Sequence, residues 1–191
     1  MHRFILPLML LLLFGCNQRT PTLTTETRIS KIDTSHLVPI APPLLKASKD
    51  PILSIRKAVQ HINTSKLKRK QFDFMCDEVM KVDYYFLNKE IVKIAIDFGT
   101  IGDVYAKEEY YYTSGKLIFV YELVEGGPAC EGCIKTDEYR TYIQDNNVIK
   151  HLKNKNVAKC RKCDFNHATR HYKLLSLTTT KQIRALMCSL R

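Results

Sequence analysis

From about residue 71 onward, apolar and polar positions alternate with a period of two, the spacing of half-buried strands. Three stretches of this part can be laid over one another. The first runs Tyr84-Tyr85-Phe86, a tip at Asn88-Lys89, then Ile91-Val92-Lys93-Ile94. The second runs Tyr110-Tyr111-Tyr112, a tip at Ser114-Gly115, then Leu117-Ile118-Phe119-Val120. The third runs Thr141-Tyr142-Ile143, a tip at Asp145-Asn146, then Val148-Ile149-Lys150-His151. Phe86, Tyr112 and Ile143 align, as do Ile91, Leu117 and Val148, at steps of 26 and 31 residues. Asn, Asp and Gly at the tips supply the positive φ of tight hairpins, and aromatic and β-branched residues flank them as strands prefer. The pattern predicts an antiparallel β-meander of about six strands built from hairpin repeats.

Before this region the period lengthens. Ile52, Ile55, Val59 and Ile62 recur at helical spacing, with Asp50 as N-cap and Pro51 at the first helical position. This predicts a helix over 51–62, ended by Asn63 and Ser65 and packed on one face of the sheet. The basic run 66–70 is expected as a solvated connection. Residues 171–178 are expected to add one more strand. Residues 180–190 are expected to form a short helix with Ile183, Leu186, Met187 and Leu190 on one side. The fold class is therefore mainly β with one or two helices: a meander domain over 50–178 and a helical tail over 179–191.

The first residues carry an address. His2 and Arg3 precede an apolar run from Phe4 to Phe14. A bilayer-spanning helix needs roughly 20 apolar residues, so this run has the length of a signal-peptide core instead. Its ending, Leu13-Phe14-Gly15-Cys16, resembles the lipobox of bacterial lipoproteins. The resemblance implies cleavage of residues 1–15, acylation of Cys16 with chains of the palmitate class, and a place on the cell-envelope membrane, facing the periplasm or the cell surface. Each buried methylene contributes about 0.8 kcal/mol, so two or three chains hold firmly. Residues 16–49 are rich in Thr, Ser and Pro without a sustained period and read as a flexible tether. About 33 such residues reach roughly 30 Å.

Six cysteines follow Cys16. Cys130/Cys133 and Cys160/Cys163 are CxxC pairs that flank the third hairpin. The two ends of a hairpin lie close together, so all four sulfurs are expected to converge. Two chemistries fit: disulfides across the hairpin, as an exported protein permits, or a tetrahedral four-cysteine zinc site. A thioredoxin-like site would need a βαβ unit, and the pattern has none. Cys160, Cys163, His167 and His171 form a second, cramped metal-ligand spacing. Cys76 and Cys188 are left over, and Cys188 also reads as a small buried apolar residue.

Charge sharpens the picture in one place. Residues 146–191 hold eleven Lys or Arg and one acid, Asp164, for a net +10 of the chain's +11. This segment reads either as a solubilising tail or as an anion-binding surface toward an anionic envelope, with Lys153, Lys155, Lys159, Arg161, Lys162, Arg170 and Lys173 as its candidates. Nucleic acid is not an expected partner of an exported chain, and no motif points to a protein partner.

No GxSxG, P-loop, HExxH or GxGxxG motif is present. Asp97, Asp103, Glu108 and Glu109 lie near strand ends, where a carboxylate pair competes with plain surface charge. The aromatic strand, polar tip and aliphatic strand of residues 82–152 resemble MORN-like repeat proteins and envelope lipoproteins built on the same unit. The resemblance implies a scaffold without a shared catalytic residue. The expectation is a non-enzymatic, lipid-anchored binding or scaffold domain without a cofactor; the alternative is a zinc-binding envelope protein.

Overall fold

The computed structural model describes residues 50–128 and 130–189. The signal run, Cys16, the tether and Leu190 lie outside them. The elements are α1 (Pro51–Thr64), β1 (Lys68–Met75), β2 (Val79–Leu87), β3 (Glu90–Ile101), β4 (Val104–Thr113), β5 (Lys116–Gly126), β6 (Lys135–Gln144), β7 (Asn147–Lys153), β8 (Asn156–Val157), α2 (Arg170–Lys173), a 3-10 turn (Leu174–Ser176) and α3 (Thr180–Cys188). The strands form one antiparallel sheet in sequence order, a meander of eight rather than about six. The six expected strands are β2–β7, and β1 and β8 add the edges.

The three aligned units share more than a pattern. Asn88/Lys89, Ser114/Gly115 and Asp145/Asn146 all have positive φ at both tip positions, the signature of two-residue type I′ turns. The aligned residues pair as Phe86↔Ile91, Tyr112↔Leu117 and Ile143↔Val148. One step from the tip each hairpin shifts register, because Tyr85, Tyr111 and Tyr142 pair with Lys93, Phe119 and Lys150. Val92, Ile118 and Ile149 are therefore the extra residues of three equivalent β-bulges. In the first two units the bulge puts two consecutive side chains, Val92-Lys93 and Ile118-Phe119, on the same face.

That face carries α1. Asp50 caps the helix by accepting from the Ile52 amide at 2.9 Å. Ile55 and Ile62 are buried against Val92, Tyr111, Phe119, Tyr142 and Leu152, with Ile52 and Val59 packed at the margin. Truncating either buried isoleucine to alanine removes about 2–5 kcal/mol.

The opposite face is covered by the C-terminal segment. Phe165, Tyr172, Leu174, Ile183 and Met187 close over Phe72, Met80, Val82, Tyr84, Ile94, Ile96, Tyr110, Tyr112, Leu117, Val120 and Ile143. Tyrosine hydroxyls pin this cover. Tyr84 donates to the Leu174 carbonyl at 2.9 Å and Tyr112 to the His171 carbonyl at 2.7 Å. Tyr172 donates to Asn146 Oδ1 at 2.5 Å and accepts from the Leu117 amide at 3.1 Å.

Three expectations are corrected here. The basic run is not all connection, since β1 starts at Lys68 as an edge strand, and charge on an edge discourages further pairing. Arg69 forms a two-pronged bond to Asp83 across it, at 2.8 and 2.7 Å. Residues 171–178 form no strand. Burial at His171, Tyr172 and Leu174 does not alternate, and the amides of Tyr172 and Lys173 bond back to the Thr169 carbonyl, closing helical turns. Thr180–Cys188, expected as part of a helical tail, packs into the core. Ile183 and Met187 are core residues, and Cys188 is bonded to Cys76.

The disulfides pair differently from both chemistries above. They are Cys76–Cys188, Cys130–Cys133 and Cys160–Cys163, with Cα–Cα distances of 5.6, 5.3 and 5.5 Å. Each CxxC closes on itself. The reason is a fourth type I′ turn, Asn154-Lys155, which reverses the chain after β7. Cys160–Cys163 is thereby carried back toward the tip of the third hairpin, where the Cys163 carbonyl accepts from the Val148 amide at 2.9 Å. Cys130–Cys133 lies beyond the other end of β6, roughly 30 Å away at strand rise. Neither cross-hairpin disulfides nor a four-cysteine zinc site is compatible with that separation. Among the described residues no three His, Cys, Asp or Glu side chains are grouped as metal ligands, the Cys160/Cys163/His167/His171 set included.

Candidate functional site

An open cleft of about 540 Å³ lies on the C-terminal face, floored by β5, β6 and β7 and walled by residues 161–171. Its floor follows from strand register. Glu108 stands opposite Glu122, Glu122 opposite Tyr139, and Tyr139 opposite Lys153. One row nearer the tips, Tyr110, Val120, Thr141 and His151 are likewise opposite one another in turn.

Two like charges directly across a sheet repel. The C-terminal segment answers them with two arginines. The Arg170 guanidinium lies 2.5 Å from Glu108, and that of Arg161 lies 3.3 Å from Glu122. Tyr110 also donates to Glu108. Arg161 stacks over the Tyr139 ring at 4.4 Å, and Arg170 sits 5.5 Å from the Phe98 centroid. Burial, then the nearby Glu108 charge, raises the Glu122 carboxyl above its ordinary range, with Arg161 opposing.

Both histidines of the cleft are buried, at 7% and 8% exposure. His151 shares a 2.9 Å hydrogen bond between Nδ1 and the Thr141 hydroxyl. Burial, helped by Arg161, lowers its pKa. The His171 ring packs on Tyr110 at 4.3 Å and edge-on against Phe165 at 4.8 Å. Burial first, then Arg170 and Lys162, pushes His171 down to about 3. Its Nδ1 and the Arg170 Nε are buried without a hydrogen-bond partner among the described residues. The site thus presents two buried imidazoles of lowered pKa, three cations and the Glu122 carboxylate beside the Phe165 ring, with Glu108 held by Arg170 at its edge.

The seven anion-binding candidates divide. Arg161, Lys162 and Arg170 converge on the cleft. Lys153 is occupied by Asp137 at 2.8 Å. Lys155, Lys159 and Lys173 are exposed on the β7–β8 turn, the following loop and α2. Lys162 is exposed too, with its ammonium 5.5 Å from the Phe165 centroid.

Of the four acids singled out in the sequence, Glu108 and Glu109 lie on opposite faces, as consecutive strand residues must. Glu109 binds Lys93 and Lys107, both at 2.9 Å, on the helix face. The carboxylate pair is Glu108 with Glu122. Glu122 and His151 were not candidates from the sequence, and only a correct strand register brings them forward. No helix among the described residues is long and apolar enough to cross a membrane. No family model, curated protein or solved structure matches the chain.

Proposed function

We propose that the chain is a lipid-anchored cell-envelope protein, held to the membrane through an acylated Cys16. Its β-meander acts as a non-enzymatic binding domain, with the cleft over β5–β7 as its contact surface. The observation that carries this reading is cysteine arithmetic. The chain has seven cysteines. The six that follow the apolar run pair with one another in three disulfides, the chemistry of an oxidising compartment. The seventh, Cys16, ends the apolar run behind a small residue, where a lipoprotein carries its acyl group.

The cleft supports a binding role over catalysis. Its carboxylates are tied to arginines, and the one imidazole–hydroxyl pair described in it, His151 with Thr141, is buried at both residues, at 7% and 4% exposure. The reading is tested by fractionating cells that express the wild type or Cys16→Ser. Wild type should sediment with membranes and take up labelled fatty acid. Cys16→Ser should appear in the soluble fraction or stall as precursor. Membrane retention of a processed, unlabelled Cys16→Ser chain would overturn the anchor.

A further inference from the structure

The Cys160–Cys163 disulfide sits where opening it leaves the fold in place. It spans three residues, so it restricts the unfolded chain little, whereas Cys76–Cys188 spans 112. The loop around it is held on both sides without the sulfurs. Before it, the Ala158 amide donates to the His151 carbonyl at 3.0 Å. Inside it, Arg161 lies on Glu122 and over the Tyr139 ring. After it, Cys163 accepts from Val148, Asp164 bridges Asn147, and the Phe165 amide donates to the Asn146 carbonyl at 2.7 Å.

The sulfurs are also reachable and electrostatically biased. Cys163 is exposed and Cys160 half-buried. The two residues within the ring, Arg161 and Lys162, are cations, which favour thiolate over thiol. The other CxxC ring encloses Glu131 and Gly132, whose charge acts the opposite way.

We propose that Cys160–Cys163 is a thiol–disulfide exchange centre that takes two electrons from a dithiol. A thiolate of the dithiol attacks the exposed Cys163 sulfur. A mixed disulfide forms, the Cys160–Cys163 bond breaks, and its electron pair leaves on Cys160 as a thiolate, next along the chain to Arg161 and Lys162. The second donor thiol loses its proton to solvent and attacks the donor sulfur of the mixed disulfide. The donor departs as a disulfide, oxidised by two electrons, and Cys163 leaves as a thiolate. The two protons released by the donor return through solvent as the cysteines take up thiol form. Arg161 and Lys162 also wall the cleft, so exchange takes place at its margin. The proposal stands on the domain and is independent of the acyl anchor.

The test is an anaerobic titration of the full-length, disulfide-intact chain in detergent with dithiothreitol and its oxidised form. Samples are quenched with an alkylating agent and mapped by peptide mass. Cys160–Cys163 should open at roughly tenfold lower dithiol than Cys130–Cys133 and before Cys76–Cys188. The sheet signal in circular dichroism should be unchanged at that point. Lys162→Gln should slow the opening several-fold. The Cys160→Ser/Cys163→Ser double variant should keep the wild-type spectrum. Opening only together with Cys76–Cys188, opening no earlier than Cys130–Cys133, an unchanged rate in Lys162→Gln, or loss of the sheet in the double variant would each overturn the proposal.

Discussion

His171 makes the domain lose stability in mild acid, and the loss can be calculated. Its imidazole is buried between the Tyr110 and Phe165 rings, with Arg170 and Lys162 nearby, and titrates near 3 instead of the ordinary 6.5. The unfolded chain therefore binds a proton that the native state refuses. Because the native pKa is the lower one, stability is highest above 6.5 and falls as pH drops from 6.5 toward 3. At pH 5 the medium is 1.5 units below the unfolded value, which costs about 2 kcal/mol at 1.36 kcal/mol per unit. Phenylalanine keeps the ring contacts and cannot take up a proton. Since Nδ1 has no partner, His171→Phe forfeits no hydrogen bond there and should be close to neutral at pH 7.5.

The assay is urea unfolding of wild type and His171→Phe at pH 7.5 and pH 5.0. Other titrating groups act alike on both chains, so the difference between the two pH-induced losses isolates His171. The variant should lose about 2 kcal/mol less than wild type between these pH values. Equal losses would refute the placement of a neutral imidazole under Phe165.

Removing the long-range disulfide with Cys76→Ala/Cys188→Ala should cost about 4–5 kcal/mol, as loop entropy gives for a span of this length, and urea midpoints measured without reductant check it. Tyr112→Phe leaves the buried His171 carbonyl without its donor and should cost about 1–3 kcal/mol in the same assay. Unacylated Cys16→Ser protein should bind anionic vesicles at low salt, release them at high salt and ignore neutral vesicles. Reversing Lys155, Lys159, Lys162 and Lys173 to glutamate should abolish that binding, and equal binding to neutral vesicles would remove the anionic surface as a partner.

The hairpins were legible because their signals are local. Asn88-Lys89 and Asp145-Asn146 both mark type I′ tips, and Phe86/Ile91 sits in the same register as Tyr112/Leu117. The fourth tip was written in the same letters, since Asn154-Lys155 repeats the Asn-Lys of the first hairpin. It was obscured because the strand after it, β8, is only two residues long. Missing that reversal sent both CxxC motifs to one end of the hairpin and produced the converging sulfurs. Edge strand β1 was hidden by its lysines, which belong on an edge but read as a connection. The cleft joins these hairpins to the C-terminal segment. Glu108 and Glu122 pair within the second hairpin, but Arg170 reaches Glu108 from 62 residues away. The net +10 of the last quarter was visible, but not that part of it neutralises carboxylates of the sheet.

The central claim, a disulfide-bonded envelope domain anchored at Cys16, is tested most directly by the intact mass of the mature chain extracted from membranes without reductant. The account predicts a polypeptide that begins at Cys16, carries a diacylglyceryl group with or without a further N-acyl chain, and lacks six hydrogens because three disulfides are closed. A mature chain that begins elsewhere without lipid, or one that retains the hydrogens of free thiols at the six downstream cysteines, would contradict it.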